Sequence, residues 1–490
     1  MARSCGTCRD RRISCDRALP SCTQCTRANR ACKGYGIRLS WPKATDRRRA
    51  VVARPARGRG VARQVHNGYQ VNASSWDIVM HRYLAGQLQN GEIPLVFEAP
   101  LPVGQMILEG DDSELIQYFQ QDASQSLATL GHDPRALGDT LMRMAFSSNS
   151  PSAIAVRRAL LGLSCLHRYG LQGQAVDYKI ASIRALAFAS TTKIGTVEAM
   201  QHVAAGMLLC SLEIHKASCT SGQWRWYIAG VKKVIASSCL GQKKEDSDLG
   251  ALLSWVQYHD TLARFSCLHW KYDLSPTKFP TKIATQVWCK EYAPVRENVD
   301  DPTPVLKCSP SIVNSLLMLL AEGCEILNAK QNDPPGADQT VYDHFLQKTI
   351  SQLRLLSVTN QPGETPPPTI ELFHLAALVY LTRASGSPYL ALELQQYITR
   401  AFTLMASMPS CDRQFSLLVL GCEATTEDER FMVLDLIDRT EKRAGSRSLF
   451  LTSKIINRIW VQDDLAEGGL EYMTKLSAII GSCGILPPFV

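Results

Sequence analysis

Cys5-Gly6-Thr7-Cys8-Arg9-Asp10-Arg11-Arg12-Ile13-Ser14-Cys15 and Cys22-Thr23-Gln24-Cys25-Thr26-Arg27-Ala28-Asn29-Arg30-Ala31-Cys32 share one skeleton, C-x2-C-x6-C, repeated at an offset of 17 residues. Six cysteines at metal-ligand spacing, with no histidine among them, make a thiolate site. Two separate tetrahedral zinc ions need eight ligand positions, so six sulfurs suffice only if two are each shared by both metals. The repeat points to its two heads. One zinc then takes Cys5, Cys8, Cys15 and Cys22, and the other takes Cys22, Cys25, Cys32 and Cys5. The spacing predicts a helix just after Cys8. A helix continued to Cys15 would rise about 10 Å, too far for two ligands of one ion roughly 4 Å apart. The helix must therefore be brief and then fold back.

Two other thiol chemistries fit less well. Disulfide frameworks belong to small secreted domains, and the opening Met1-Ala2-Arg3-Ser4-Cys5 shows no charged n-region, apolar h-region or cleavage site. Iron–sulfur centres use a differently spaced run of cysteines. Charge then indicates a partner. From Arg9 to Lys33, seven Lys and Arg stand against Asp10 and Asp16, a net of +5. Two zinc ions with six thiolates subtract two charges and leave the module at about +3. The metal centre alone would repel phosphate, so the arginines must do the attracting, and double-stranded DNA is the expected partner.

These residues resemble the fungal binuclear zinc cluster transcription factors. The likeness lies in Cys5 through Asp16, the Pro20-Ser21-Cys22 step and Gly34-Tyr35 after the last ligand. It departs at Ser14, where the family usually has lysine before its third cysteine. The resemblance implies two zinc ions on the six cysteines and places Arg11 and Arg12 where the family reads the bases of a C-G-G triplet. Arginine suits guanine because its fork bonds O6 and N7 together. Arg9, Arg17, Arg27, Arg30 and Lys33 are then phosphate contacts, which position the module and carry little sequence information.

The 490-residue chain has a net charge of +8, unevenly spread. Residues 1–66 carry 17 Lys and Arg against three Asp, a net of +14, which leaves −6 for the remainder. A basic head on a mildly acidic body suggests a nucleic-acid reader joined to something else. The other 11 cysteines lie singly from Cys165 to Cys483, as small buried hydrophobes in a reducing compartment. No apolar run approaches the length of a membrane span, so a soluble protein without a membrane partner is expected. The reading divides the chain into a DNA-binding module at 1–36, a basic and mostly disordered linker at 37–110, and a large all-α regulatory domain at 111–490. Arg47-Arg48-Arg49 in the linker reads as a nuclear import signal or an arm along the phosphate backbone. A heptad coiled coil is absent between residues 67 and 110. Trp76, Val79, Met80, Tyr83 and Leu88 suggest one short amphipathic helix, interrupted by Gly86, Gly91 and Pro94.

From residue 112 onward the periodicity is helical. Leu115, Ile116, Phe119, Ala123, Leu127 and Leu130 keep to one face behind a cap at Asp112 or Ser113. Further helices are expected near 151–170, 174–190, 197–217, 224–235, 247–267, 310–328, 340–356, 369–384, 388–407, 426–441, 447–461 and 465–480, with Thr277 to Val287 ambiguous. This body resembles the regulatory region that accompanies binuclear zinc clusters in one large subgroup. The likeness rests on Trp224 with Ile228-Ala229-Gly230-Val231, on Trp255 with His259-Asp260, on Ala376 through Leu381, and on Gly421-Cys422-Glu423-Ala424 before Arg430 and Trp460.

No catalytic constellation is evident. The chain lacks a P-loop and H-E-x-x-H, and Gly162-Leu163-Ser164-Cys165-Leu166 lacks the closing glycine of a nucleophile elbow. Cys267 and His269 are close in sequence, which says little about closeness in space. Trp224, Trp226, Trp255 and Trp460 read as core rather than as a ligand cage. The expected function is a nuclear, sequence-specific transcription regulator that is not an enzyme. The resemblance makes it an activator working with the RNA polymerase II machinery on a biosynthetic gene set, with dimerisation left open. The alternative is a metal- or redox-responsive thiolate protein whose helical body is an interaction scaffold, which would have no use for the arginines between Cys8 and Cys15.

Overall fold

The computed structural model describes residues 5, 7–8, 11, 13–16, 18, 21–32, 71, 73–87, 111–131, 133–170, 173–191, 194–215, 223–238, 240, 247–270, 312–332, 339–356, 367–444, 449–466, 470–484 and 486–490. Among these residues the regular elements are helices, and the chain is mainly α as its periodicity implies. The N-terminal module contains the short α1 (Thr23–Arg27). The body begins with α2 (Ser75–Leu84), α3 (Asp112–Gln121), α4 (Pro134–Phe146), α5 (Pro151–Tyr169), α6 (Gly173–Ala189), α7 (Thr196–His215), α8 (Trp224–Ser237) and α9 (Ser247–His269). It continues with α10 (Ile312–Asn332), α11 (Gln339–Leu355), α12 (Pro368–Ser385), α13 (Ala391–Ser407), α14 (Gln414–Gly421), α15 (Glu427–Ala444), α16 (Phe450–Leu465) and α17 (Tyr472–Gly481).

Local chemistry sets several starts and stops. Ser150 accepts from the Ala153 amide ahead of Pro151, and Asp133 accepts from the Arg135 amide ahead of Pro134, so both prolines sit where no helical donor is lost. Gly170, at φ 76°, ends α5 in a backbone conformation that other residues avoid. The helix expected to run to Leu130 stops at Gln121 and continues as a 3-10 turn, Ala123–Ser126. Leu127 and Leu130 are nevertheless buried.

Two apolar cores share one helix. In the first half α5 packs against α3, α4, α6 and α7, and in the second α12 packs against α10, α11, α13, α14 and α17. Leu372 through Thr382 are all buried, so α12 is enclosed on every side. The 23-residue α9 contributes Leu252, Leu253, Trp255 and Val256 to the first core and Tyr258, Leu262, Phe265 and Leu268 to the second. The last residues fasten to the second core and to a small cluster around Trp224. The Trp224 indole donates to Leu486 O (3.1 Å), the Phe415 amide donates to Phe489 O (3.1 Å), and the Phe489 ring meets Phe265 edge-on at 5.6 Å.

α10 has the length and hydropathy of a membrane span, contrary to the expectation that no run would approach one. It packs between α9, α11 and α12, and its Asn314 accepts from Ser254 Oγ (3.3 Å) and, through its carbonyl, from Gln257 (3.3 Å). These contacts are those of a core helix. The segment from Thr277 to Val287 lies outside the described residues.

The segments that carried the resemblance meet in space. The Trp460 indole donates to Gly421 O (2.8 Å), and the Arg430 guanidinium lies over the Trp460 ring (5.4 Å) while bonding both oxygens of Asp464 (2.8 and 2.9 Å). Glu423 receives Arg383 through both oxygens (2.9 and 2.5 Å). A Cβ at Gly421 would lie 2.9 Å from Ile456 Cδ1, so any larger residue there would make the Ile456 side chain shift where α14 meets α16. On α9, His259 bonds Trp255 O (3.1 Å), and Asp260 accepts from Lys232 (3.0 Å) and Arg264 (2.9 Å). Trp224, Trp255 and Trp460 are core residues as expected, whereas Trp226 is 40% exposed.

The segment around Trp76, which the sequence reading assigns to the linker, forms α2 with a Ser74–Asp77 capping box and packs on α16 and α17. Met80 is fully buried, and Gln462 donates to Asp77 O (2.9 Å). A fragment of residues 71–490 is therefore expected to unfold at a higher temperature than one of residues 111–490, both staying helical with a chelator present. Circular dichroism melts measure this, and equal melting temperatures would show that α2 contributes nothing. Removing the buried guanidinium with Arg430→Ala should destabilise the body by about 3–5 kcal/mol by stranding Asp464, read from denaturant unfolding of the same fragment.

Candidate metal centre and nucleic-acid interface

The six sulfurs converge in two overlapping groups. Cys5, Cys8, Cys15 and Cys22 form one, and Cys5, Cys22, Cys25 and Cys32 the other, with the ligand atoms of each group within 4.8 Å of one another. Cys5 and Cys22 belong to both, with their Sγ atoms 3.5 Å apart. The Cys8–Cys22 and Cys5–Cys25 Sγ separations are 3.6 and 3.7 Å. A tetrahedron of sulfurs each about 2.3 Å from zinc has edges of about 3.8 Å, so the donor set fits two zinc ions sharing an edge. None of the six cysteines is in a disulfide.

Local structure explains how the ligands are brought in. The Cys8 amide donates to Cys5 Sγ (3.3 Å), and its counterpart 17 residues on, the Cys25 amide, donates to Cys22 Sγ (3.4 Å). In the first half Arg11 N bonds Thr7 O (3.2 Å) and Ile13 N bonds Cys8 O (3.0 Å); in the second Ala28 N bonds Gln24 O (3.3 Å) and Arg30 N bonds Cys25 O (3.0 Å). Each half is thus a single helical turn closed by a wider backbone bond, the fold-back that the ligand spacing demands. In the second half the reversal runs through Asn29 at φ 49°, a region asparagine tolerates better than most residues.

Contacts outside the ligand set brace the module. Thr7 Oγ1 donates to Ala31 O (2.9 Å) and ties the two halves together. The Asp16 carboxylate accepts from the Thr23 amide through both oxygens (3.0 and 3.1 Å) and from the Thr23 hydroxyl. The Thr23 hydroxyl holds the Asp16 carboxyl below its usual range, so it stays ionised at neutral pH beside the start of α1, whose N-cap is Cys22. The sequence reading missed the roles of Thr7 and Thr23; the available signal was a threonine one residue before or after a predicted ligand.

Burial pushes the Cys5 thiol up to about 12 and raises Cys8 and Cys22 as well. Sulfurs this close and this buried reach the thiolate form at neutral pH only with a cation among them. Around them Arg11, Arg27 and Arg30 are exposed, as phosphate or base contacts require. Arg9, Arg12, Arg17, Lys33 and Arg47-Arg48-Arg49 lie outside the described residues. Cys267 and His269 do not form a nucleophilic pair. His269 is buried, and its ring nitrogens lie 2.8 Å from Ser477 Oγ and 2.8 Å from Tyr380 OH, the surroundings of a core histidine.

Comparison with known proteins gives two family matches. Residues 3–42 match the fungal Zn(2)-Cys(6) binuclear cluster domain, and residues 114–477 match the fungal specific transcription factor domain. The chain is 38% identical over 394 residues to a protein named transcription factor iacI from Pestalotiopsis fici, covering 78% of this chain and 96% of that one. Over 39 residues it is 46% identical to arginine metabolism regulation protein II from Saccharomyces cerevisiae, 8% of this chain and 4% of that one. No solved structure matches.

The shared-edge geometry predicts two zinc ions per chain, measured by metal analysis of the purified protein. Replacing Cys5 or Cys22 with serine should cost both ions, whereas replacing Cys8 or Cys32 should at first cost one. A content of one zinc per native chain would rule the arrangement out.

Proposed function

Because this chain belongs to the fungal transcription factors that pair a Zn(2)-Cys(6) binuclear cluster with the fungal specific transcription factor domain, and is thus a DNA-binding transcription regulator, we propose the following specific role. It is a nuclear activator of RNA polymerase II transcription for a set of biosynthetic genes, reads C-G-G-type triplets through the turn after Cys8, and has no catalytic activity. Zinc supplies the charge and the bonds that hold this small module folded, and Cys5, Cys8, Cys15, Cys22, Cys25 and Cys32 would hold two ions. Arg11 and Arg12 would face the bases. Arg9, Arg17, Arg27, Arg30 and Lys33 would take phosphates, and Arg47-Arg48-Arg49 would direct import or track the backbone. The body would engage the transcription machinery.

The observation that carries this reading is the gathering of six sulfurs into two edge-sharing groups beneath exposed arginines. Metal storage would need the sulfurs and not the arginines. In the full-length protein, Arg12→Ala should relax the preference for C-G-G over random duplex at constant salt, a bidentate contact being worth about 1–3 kcal/mol. Arg27→Ala should weaken binding to all duplexes and flatten the dependence of log affinity on log salt by about one unit. Equal losses by both variants on specific and random DNA would remove base reading from Arg12.

A further inference from the structure

Helix α6 is built the wrong way round for a helix on the surface of a monomer. The residues it buries are Ala175, Tyr178, Ser182 and Ala189, set against α5 so closely that a Cβ at Gly162 would meet Tyr178 Cβ at 3.3 Å. Leu186 packs on the first core, but the other large aliphatic side chains face outward: Val176 is 38% exposed, Ile180 39% and Ile183 39%, and Ala187 is also exposed. The spacings along this outer stripe are four, three and four residues, the two-per-heptad seam of a helix that packs on another helix. At about 100° per residue the four fall within an arc of about 60°, turned well away from the buried face. Single exposed apolar residues need no explanation, but a continuous seam does.

The charges beside the seam indicate its occupant. Asp177 and Arg184 lie on one flank, about 100° and 80° round from Val176, and neither forms an ion pair among the described residues. Two such helices packed antiparallel place Ile180 of one against Ile183 of the other, and Asp177 of each copy beside Arg184 of its neighbour. One self-complementary patch thus satisfies two opposite-charge pairs, the requirement of a two-fold interface. A parallel arrangement would instead set Lys179 against Arg184. We infer that α6 is a self-association surface on which a second copy of this chain docks antiparallel through Val176, Ile180, Ile183 and Ala187, fixed in register by reciprocal Asp177–Arg184 pairs. The partner surface lies on the body, and the inference goes beyond the DNA-reading proposal without depending on it. A 17-residue helix is about 25 Å long and offers a small interface, so the association is a weak, concentration-dependent one.

The test is sedimentation of the full-length, zinc-loaded protein across a concentration series without DNA. A monomer–dimer equilibrium is expected, abolished by Ile180→Asp together with Ile183→Asp. Asp177→Arg and Arg184→Asp should each weaken association about tenfold, since each change enters twice at a two-fold interface. Combining the two exchanges should restore it to within about twofold. Far-ultraviolet dichroism and melting temperature check that each variant is folded, and the charge exchanges, made at exposed positions, decide the matter even if the isoleucine variants do not fold. A protein that is monomeric at every concentration, or a double exchange that does not restore association, overturns the inference. So does a drop in reporter transcription with unchanged sedimentation, which would give the face to a different protein. Binding to a duplex with a single half-site should be unchanged in every variant. Loss of that binding in the parent protein would count against the DNA-reading proposal and leave the association result standing.

Discussion

An all-helical body has no sheet to lean on, so every apolar face must be covered by another helix, and α9 is where this constraint is tightest. It is one uninterrupted helix whose first turns complete one core and whose last turns complete another. Several of its buried polar groups find partners inside the protein, although Trp255 Nε1 and Gln257 Oε1 find none among the described residues. His259 is satisfied on its own backbone, Asp260 with Lys232 and Arg264, and His269 with Ser477 and Tyr380. An unpaired group at any of these positions would cost more than the bond itself contributes. Among the residues that made the body look like a known regulatory region are two of these polar groups, His259 and Asp260, and a close approach, Gly421 under Ile456.

The N-terminal module obeys a different constraint. Among its described residues the buried ones are the cysteines Cys5, Cys8, Cys22 and Cys25 with Thr7, and no aliphatic side chain joins them. So small an interior cannot offset the entropy of ordering the chain without metal–thiolate bonds. The repeat is structural as well as textual. Amide-to-sulfur and amide-to-carbonyl bonds recur at the same offset in both halves, so each half presents its first sulfur to both metal positions.

Much of this was legible in the residues. Cysteine spacing alone assigns the two sulfur groups, because counting ligands against tetrahedral positions leaves few solutions. Helical periodicity located most of the body. It missed α4, where Gly131, Pro134 and Gly138 dilute the pattern although Asp133 and Pro134 mark a start, and Gly138 is tolerated because a Cβ there would lie 2.6 Å from Ser124 Cβ. It missed α14 because Phe415 through Leu420 are apolar except for Ser416 and too short to show a period. For α6 the period was visible but the direction was not. A seam of valine and isoleucine reads as the inward face, and only the packing of small residues on α5 shows that it points out.

Charge and metal dependence divide the labour between the parts. Residues 1–66 carry +14 and the remainder −6, so attraction to phosphate belongs to the head and the body as a whole opposes it. Metal binding needs deprotonated thiols, so acid or a chelator acts on the head while the aliphatic cores are untouched. A body that contributes no attraction of its own can still govern DNA binding through geometry, by fixing how many heads act together. Holding two heads in one particle turns the second contact into an intramolecular event, and this raises avidity without any new bond to DNA. A modest interface on the outer face of α6 is enough for that, and a modest interface is also one that a change in protein concentration can switch.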